Sequence, residues 1–161
     1  MNFHRLFLIQ KGLDDRIRQE HGLIGRDLIA DKVLALQVEL AELANETRCF
    51  KYWSKKPPAD RDVILEEYVD GLHFVISLGI ELGYDYEPTD LQAGFGSLTE
   101  RFTALLALTA VFGQRREADV YRELFDAIWG LGSGLGFTAA EIEAAYLAKN
   151  EVNHRRQEQG Y

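Results

Sequence analysis

The sequence predicts an all-α fold, a single-domain helical bundle spanning residues 1–161. Two patterns predict it: apolar residues recur at spacings of three and four, and the β-branched alternation that marks strands never persists. Size bounds the rest, because 161 residues suffice for one well-buried core and are too few for two ordinary domains.

A first helix is expected over Phe3–Glu20, where Phe3, Leu6, Phe7, Leu13 and Ile17 fall on one stripe and His21-Gly22 ends it. A second is expected from about Asp27 to Arg48, with Leu28, Val33, Leu36, Leu40 and Leu43 facing inward. The loop Cys49–Asp62 then carries three lysines and three aromatics before Pro57-Pro58, where no helix can continue. A third helix begins between Asp60 and Asp62 and runs to Leu82, closed by Gly83; its stretch Gly71–Leu78 is apolar all round and so must be buried. Tyr84–Gly96 reads as a connection rich in turn formers.

Two amphipathic helices follow, Ser97–Phe112 and Glu117–Leu131, around a polar turn at Gln114-Arg115-Arg116. Gly130, Gly132, Gly134 and Gly136 read as a flexible link between helices, since a phosphate-cradling loop needs a preceding strand and a closing Lys-Ser/Thr pair. Thr138 and Glu141 have capping-box spacing and open a last helix that reaches about Gln157.

The formal charge of −8, with no basic stripe, excludes a binder of the phosphate backbone, so no nucleic-acid partner is expected. Lone Cys49 allows no internal disulfide. Met1–Gln10 lacks the basic start and long apolar run of a secretory signal, and the longest apolar run, Leu72–Leu82, is broken by His73, Ser77 and Glu81. A cytoplasmic protein without a membrane partner is the expectation.

Chemistry concentrates in two carboxylate pairs. Glu39 and Glu42 lie on the second helix and Glu67 and Asp70 on the third, each pair spaced i, i+3 and so on one helix face. One such pair is as well explained by a solvated surface. The second pair shifts the balance, because it leads into the all-apolar segment and carries its charge toward a packed interior, with Glu66 in an outer position. Four converging carboxylates repel one another, and a divalent cation relieves that repulsion. Oxygen ligands without a cysteine cluster favour magnesium or manganese, with more than one ion per site, and metal-assisted hydrolysis of a polyphosphate is the matching chemistry. A di-iron bundle fails on inventory: it needs Glu-x-x-His on each of two helices, and Asp70-x-x-His73 is the one imperfect instance.

Two further segments complete a nucleotide site. Phe50-Lys51-Tyr52-Trp53-Ser54-Lys55-Lys56 mixes cations with aromatics; it is either a charge-balancing surface loop or a clamp for phosphates. On the last helix Tyr146, Lys149, Asn150, Asn153 and Arg156 recur at helical spacing, and two asparagine amides offer both donor and acceptor to a base or sugar.

With these residues assembled, the chain resembles the dimeric all-α dUTPases of the MazG-like nucleotide pyrophosphatase superfamily over nearly its whole length. Glu39-x-x-Glu42 and Glu67-x-x-Asp70 resemble the superfamily's metal motif. Phe50-Lys51-Tyr52-Trp53 is similar to the family's basic-aromatic loop, Asp70-Gly-Leu-His73-Phe74 to its base pocket, and Lys149-Asn150-Glu-Val-Asn153-His-Arg-Arg156-Gln157 to its C-terminal signature. The resemblance implies a homodimer that hydrolyses dUTP, and dUDP, at the α–β phosphoanhydride to release dUMP. It implies that Glu39, Glu42, Glu67 and Asp70 are the catalytic, magnesium-binding set, with Glu42 orienting the attacking water. Gln10, Trp53, His73, Phe74 and Asn153 would surround uracil, Lys51, Lys149 and Arg156 would approach the phosphates, and Asn150 the sugar.

The chain departs from that pattern at Asp14, where many members have a base-reading asparagine, and at Ser54, in the place of a common lysine, with Lys55 one position later. It ends at Gly160-Tyr161, where relatives often continue, so the tail that closes over the ligand is expected to be either shorter here or trimmed. Two other readings stand beside the dUTPase: a housecleaning pyrophosphatase of the same superfamily with another or broader nucleotide preference, and a regulatory protein that binds a repressor-type partner through its acidic helices.

Overall fold

The computed structural model describes residues 1–88 and 96–160. Part of the expected connection Tyr84–Gly96, and Tyr161, lie outside the described residues. Among those described there are six helices and no strand: α1 Phe3–Glu20, α2 Ile29–Thr47, α3 Arg61–Leu82, α4 Leu98–Arg115, α5 Ala118–Gly134 and α6 Ala139–Glu158. None is long and apolar enough to cross a membrane.

α3 is the centre of the packing and touches α1, α2, α5 and α6, while α4 packs on α5 and α2. Its composition dictates that place, since Val69, Leu72, Val75, Ile76 and Leu78 point to several sides and all are buried. Around it close Leu6 of α1, Leu36, Leu40 and Leu43 of α2, Phe125 of α5 and Tyr146 of α6. Each such side chain contributes about 1.5–3 kcal/mol by leaving water.

The helix ends follow local chemistry. Asp27 accepts from Ile29 N at 3.0 Å, which holds the chain outside the helix, so α2 starts two residues later than the periodicity predicts. It stops where Arg48 turns to φ 57, and α3 stops at Gly83, φ 70. The predicted box at α6 is present: Thr138 Oγ1 accepts from Glu141 N at 3.2 Å and Glu141 Oε2 accepts from Thr138 N at 2.8 Å. Ser97 and Glu100 build a second box at the start of α4.

The glycine-rich stretch corrects the sequence reading. Gly130, Gly132 and Gly134 lie inside α5, and the link to α6 is confined to Leu135–Thr138, with Gly136 at φ 81. Close approach explains the glycine at 132: a Cβ there would come within 2.5 Å of the Tyr68 hydroxyl of α3. That hydroxyl donates to Ile128 O at 3.2 Å, so the bare backbone of α5 is what lets the buried tyrosine sit against it. α4 likewise runs three residues past its predicted end at Phe112, to Arg115, and turns at Arg116, φ 53, within the predicted polar turn.

Candidate active site

The packing of α2 on α3 and of α3 on α6 brings the predicted acids together. Carboxylate oxygens of Glu39, Glu67 and Asp70 lie within 4.8 Å of one another. Leu36, Leu40 and Leu43 form the buried seam of α2, and Glu39 sits beside it at the edge of the α3 contact. Glu42 is exposed and outside that group, although its charge still acts on Glu39 and Glu67.

Burial and mutual repulsion outweigh the positive charge beside the three acids. Burial, followed by the charges of Asp70, Glu42 and Glu67, pushes the Glu39 carboxyl up to about 7. Burial likewise raises Glu67 and Asp70. Two cations act on Asp70: Lys149 of α6 donates to Asp70 Oδ2 at 2.6 Å and to Glu66 Oε1 at 2.8 Å, with its side chain only 11% exposed, and Arg156 acts through its charge. Burial opposes the lysine's charge, yet Asp70 and Glu66 more than offset it and its pKa rises. An all-oxygen donor set this short of compensating charge fits a hard divalent cation, so these residues can hold a metal.

Beside the acids opens a cleft of about 340 Å³ between α1, α2, α3 and α6. Gln10 and Asp14 reach it from α1, Lys32 and Glu39 from α2, Asp70, His73, Phe74 and Ser77 from α3, and Lys149, Asn153 and Arg156 from α6. Its inner end is a connected polar chain. Asp14 Oδ1 accepts from Gln10 Nε2 at 2.8 Å, and Asp14 Oδ2 accepts from Ser77 Oγ at 2.5 Å and Lys32 Nζ at 3.0 Å. Lys32 continues to Glu81, which Arg18 also holds. Gln10 Oε1 accepts from the Tyr146 hydroxyl at 2.8 Å and lies 2.7 Å from His73 Nδ1.

The His73 ring stacks on Tyr146, centroids 3.8 Å apart and planes 19° apart. Burial, with help from the charge of Lys149, lowers its pKa to about 3, so the ring is neutral at neutral pH. Asn150 Nδ2 is buried and has no hydrogen-bond partner among the described residues.

Of the residues predicted to meet the base and phosphates, Gln10, His73, Phe74, Lys149, Asn153 and Arg156 line this cleft. Asn150 is buried one turn from Tyr146 on α6 and is not on the lining. Lys51, Trp53 and Lys55 are not brought to it. Trp53 is 64% exposed and meets Tyr52 edge to face at 5.1 Å, Lys51 donates to Asn45 Oδ1, and Lys55 is exposed. Arg48 ties their loop to the end of α2 by donating to Ser54 Oγ at 2.6 Å and Lys56 O at 3.1 Å.

Sequence reasoning missed Lys32, Ser77, Arg18 and Glu81. A signal existed for two of them: Lys32 stands four residues from both Leu28 and Leu36, an inward register, and Ser77 stands four residues after His73. No curated protein matches the chain. A family model described as dUTPase matches residues 2–161.

Proposed function

The chain belongs to the dUTPase family and is a hydrolase of dUTP, and we propose that it cleaves the α–β phosphoanhydride with magnesium to give dUMP and pyrophosphate. It accepts dUDP at the same bond and limits uracil incorporation into DNA. The observation that carries this reading is the three-carboxylate cluster at the mouth of a cleft whose far end presents amide and imidazole groups.

In this reading Glu39, Glu67 and Asp70 hold the divalent cation, magnesium or the equally hard manganese, with more than one ion per site and Glu42 at its outer edge. The bound cation would neutralise the polyphosphate and acidify the attacking water. Glu42, exposed beside the cluster, orients that water. Lys149 and Arg156 line the cleft beside the acids, where the phosphates must lie, and Lys51 and Lys55, which stand away from the cleft in the ligand-free chain, would have to be carried to them by the basic loop. Gln10, His73, Phe74 and Asn153 enclose uracil, Trp53 closes over it with the loop, and Asn150 approaches the sugar.

Residues 1–161 form one domain in this reading, and the active species is a homodimer. Between Ser97 and Leu131 only Val111 is a large exposed hydrophobic, while Leu34 and Val38 are exposed together on α2. Sedimentation as a species of 18.3 kDa alone would contradict the dimer.

Turnover of dUTP, dCTP, dTTP and UTP in magnesium tests the specificity. A preference for dUTP over each of the others by on the order of 10²-fold or more is expected, since cytosine leaves buried hydrogen-bonding groups unpaired, the thymine methyl must meet a tight wall at C5, and the hydroxyl of UTP must meet one at the 2′ position. Equal rates on all four would instead favour the housecleaning pyrophosphatase.

A further inference from the structure

α6 leaves the hydrophobic core before it reaches the end of the cleft. Among the described residues its last side chain packed on the core is Leu147, and its last buried one is Asn150. Asn153, Arg156 and Gln157 line the cleft from the two turns beyond, where no residue of Glu151–Glu158 is buried. Packing on the core therefore does not fix where these three side chains point.

Polar ties from the end of α1 reach these turns instead. Arg16 NH1 donates to His154 O at 3.3 Å, lies 3.4 Å from His154 Nδ1 and stands 3.6 Å from Glu158 Oε1. Its Nε donates to Glu20 Oε1 at 2.7 Å, which orients the guanidinium. His21, which caps α1, meets Gln157 Oε1 with its Nε2 at 3.0 Å. A cation beside the last turn of a helix is also on the favourable side of the helix dipole. The Arg16 side chain is 28% exposed and that of Glu158 63%, so each tie is weak by itself. A helix end held in this way lies close to the balance between ordered and frayed, and removing one tie shifts the populations.

We propose that Arg16 and His21 are positioning residues for substrate binding: they hold the last two turns of α6 against α1, so that Asn153 and Arg156 already face the cleft when the nucleotide arrives. A ligand that needs an ordered end binds with its affinity reduced by the fraction of molecules in which that end is ordered. Once bound, the nucleotide's own contacts hold the end, so the two residues act on KM and leave the chemical step alone. The placement of the turns stands on the ligand-free geometry, and the effect on KM rests on the nucleotide reading of the cleft.

Amide hydrogen exchange of the ligand-free protein, together with steady-state kinetics for dUTP, tests this. In Arg16→Ala the amides of residues 153–158 should exchange on the order of 3- to 10-fold faster while those of 142–150 keep their wild-type rates, and KM should rise by a similar factor with kcat within about twofold. His21→Ala should loosen the same amides. Arg16→Lys, which keeps a cation and a donor for His154 O and Glu158, should recover most of the loss. Unchanged exchange at 153–158 in both alanine variants overturns the proposal. So does a loosened end with an unchanged KM for dUTP, or faster exchange along the whole of α6, which marks a merely structural role. A wild type that does not turn over dUTP, with the end of α6 still loosened in Arg16→Ala, overturns the nucleotide reading and spares the placement.

Discussion

Asp70→Asn is expected to lower dUTP turnover by on the order of 10²–10³-fold, the cost of losing one essential electrostatic group from a preorganised site. The substitution keeps the shape of the side chain and one acceptor oxygen while removing its charge. Asp70 is the best placed of the acids for this role: its side chain is 17% exposed, it shares the oxygen cluster with Glu39 and Glu67, and it borders the cleft that Lys149 also lines. Lys149 retains Glu66 as a partner, so the fold is expected to survive, and circular dichroism with a thermal melt checks that it does. The gain in Tm produced by magnesium should shrink in parallel, because a weaker metal site stabilises less. Turnover within twofold of wild type would remove Asp70 from the metal set.

Lys149→Met separates two effects that the lysine combines. Its ammonium sits against Asp70 and Glu66 and lowers the pKa of Glu39, Glu67 and Asp70, so in the ligand-free protein it stands in for part of the missing positive charge. A divalent cation must share or displace that contact. Methionine keeps the packing volume and drops the charge, so magnesium should raise the Tm of the variant by more than it raises that of wild type. Turnover should move the other way. If Lys149 meets a phosphate when substrate binds, losing a charge-assisted hydrogen bond of about 1.5–3 kcal/mol lowers kcat/KM for dUTP on the order of 10- to 100-fold. Thermal shift against magnesium concentration and steady-state kinetics read the two arms. An unchanged magnesium response would show that the lysine does not compete for the cluster.

How far the sequence carries can be seen helix by helix. The register of α3 was legible because an apolar segment without a polar face has only a buried solution, and the capping box of α6 because two side chains satisfy local backbone groups wherever the helix packs. The glycines of α5 were not, since glycine serves both flexible links and close backbone approach, and only the Tyr68 ring of a distant helix decides between them. Register between helices also divided the first carboxylate pair. A spacing of three puts Glu39 and Glu42 on one broad face, but that face is offset by about 60° between them, enough for the Leu36–Leu40–Leu43 seam to hold one beside α3 and leave the other in solvent.

The registers of Lys32 and Ser77 were legible one at a time, but the network they form with Asp14 was not, because it joins three helices, with the acid on α1 and its cation on α2. Composition marked the loop around Trp53 as basic and aromatic without fixing where it lies, and Arg48 anchors it at the end of α2.

The central claim is that the Glu39, Glu67 and Asp70 cluster holds a divalent cation for cleavage between the α- and β-phosphates of dUTP. Phosphorus NMR of dUTP turned over by the full chain, with magnesium and again after chelation, tests it directly. Equal amounts of dUMP and pyrophosphate in magnesium, with turnover lost on chelation and regained on adding magnesium back, are the predicted result. Release of dUDP and orthophosphate, or turnover that chelation leaves intact, would contradict it.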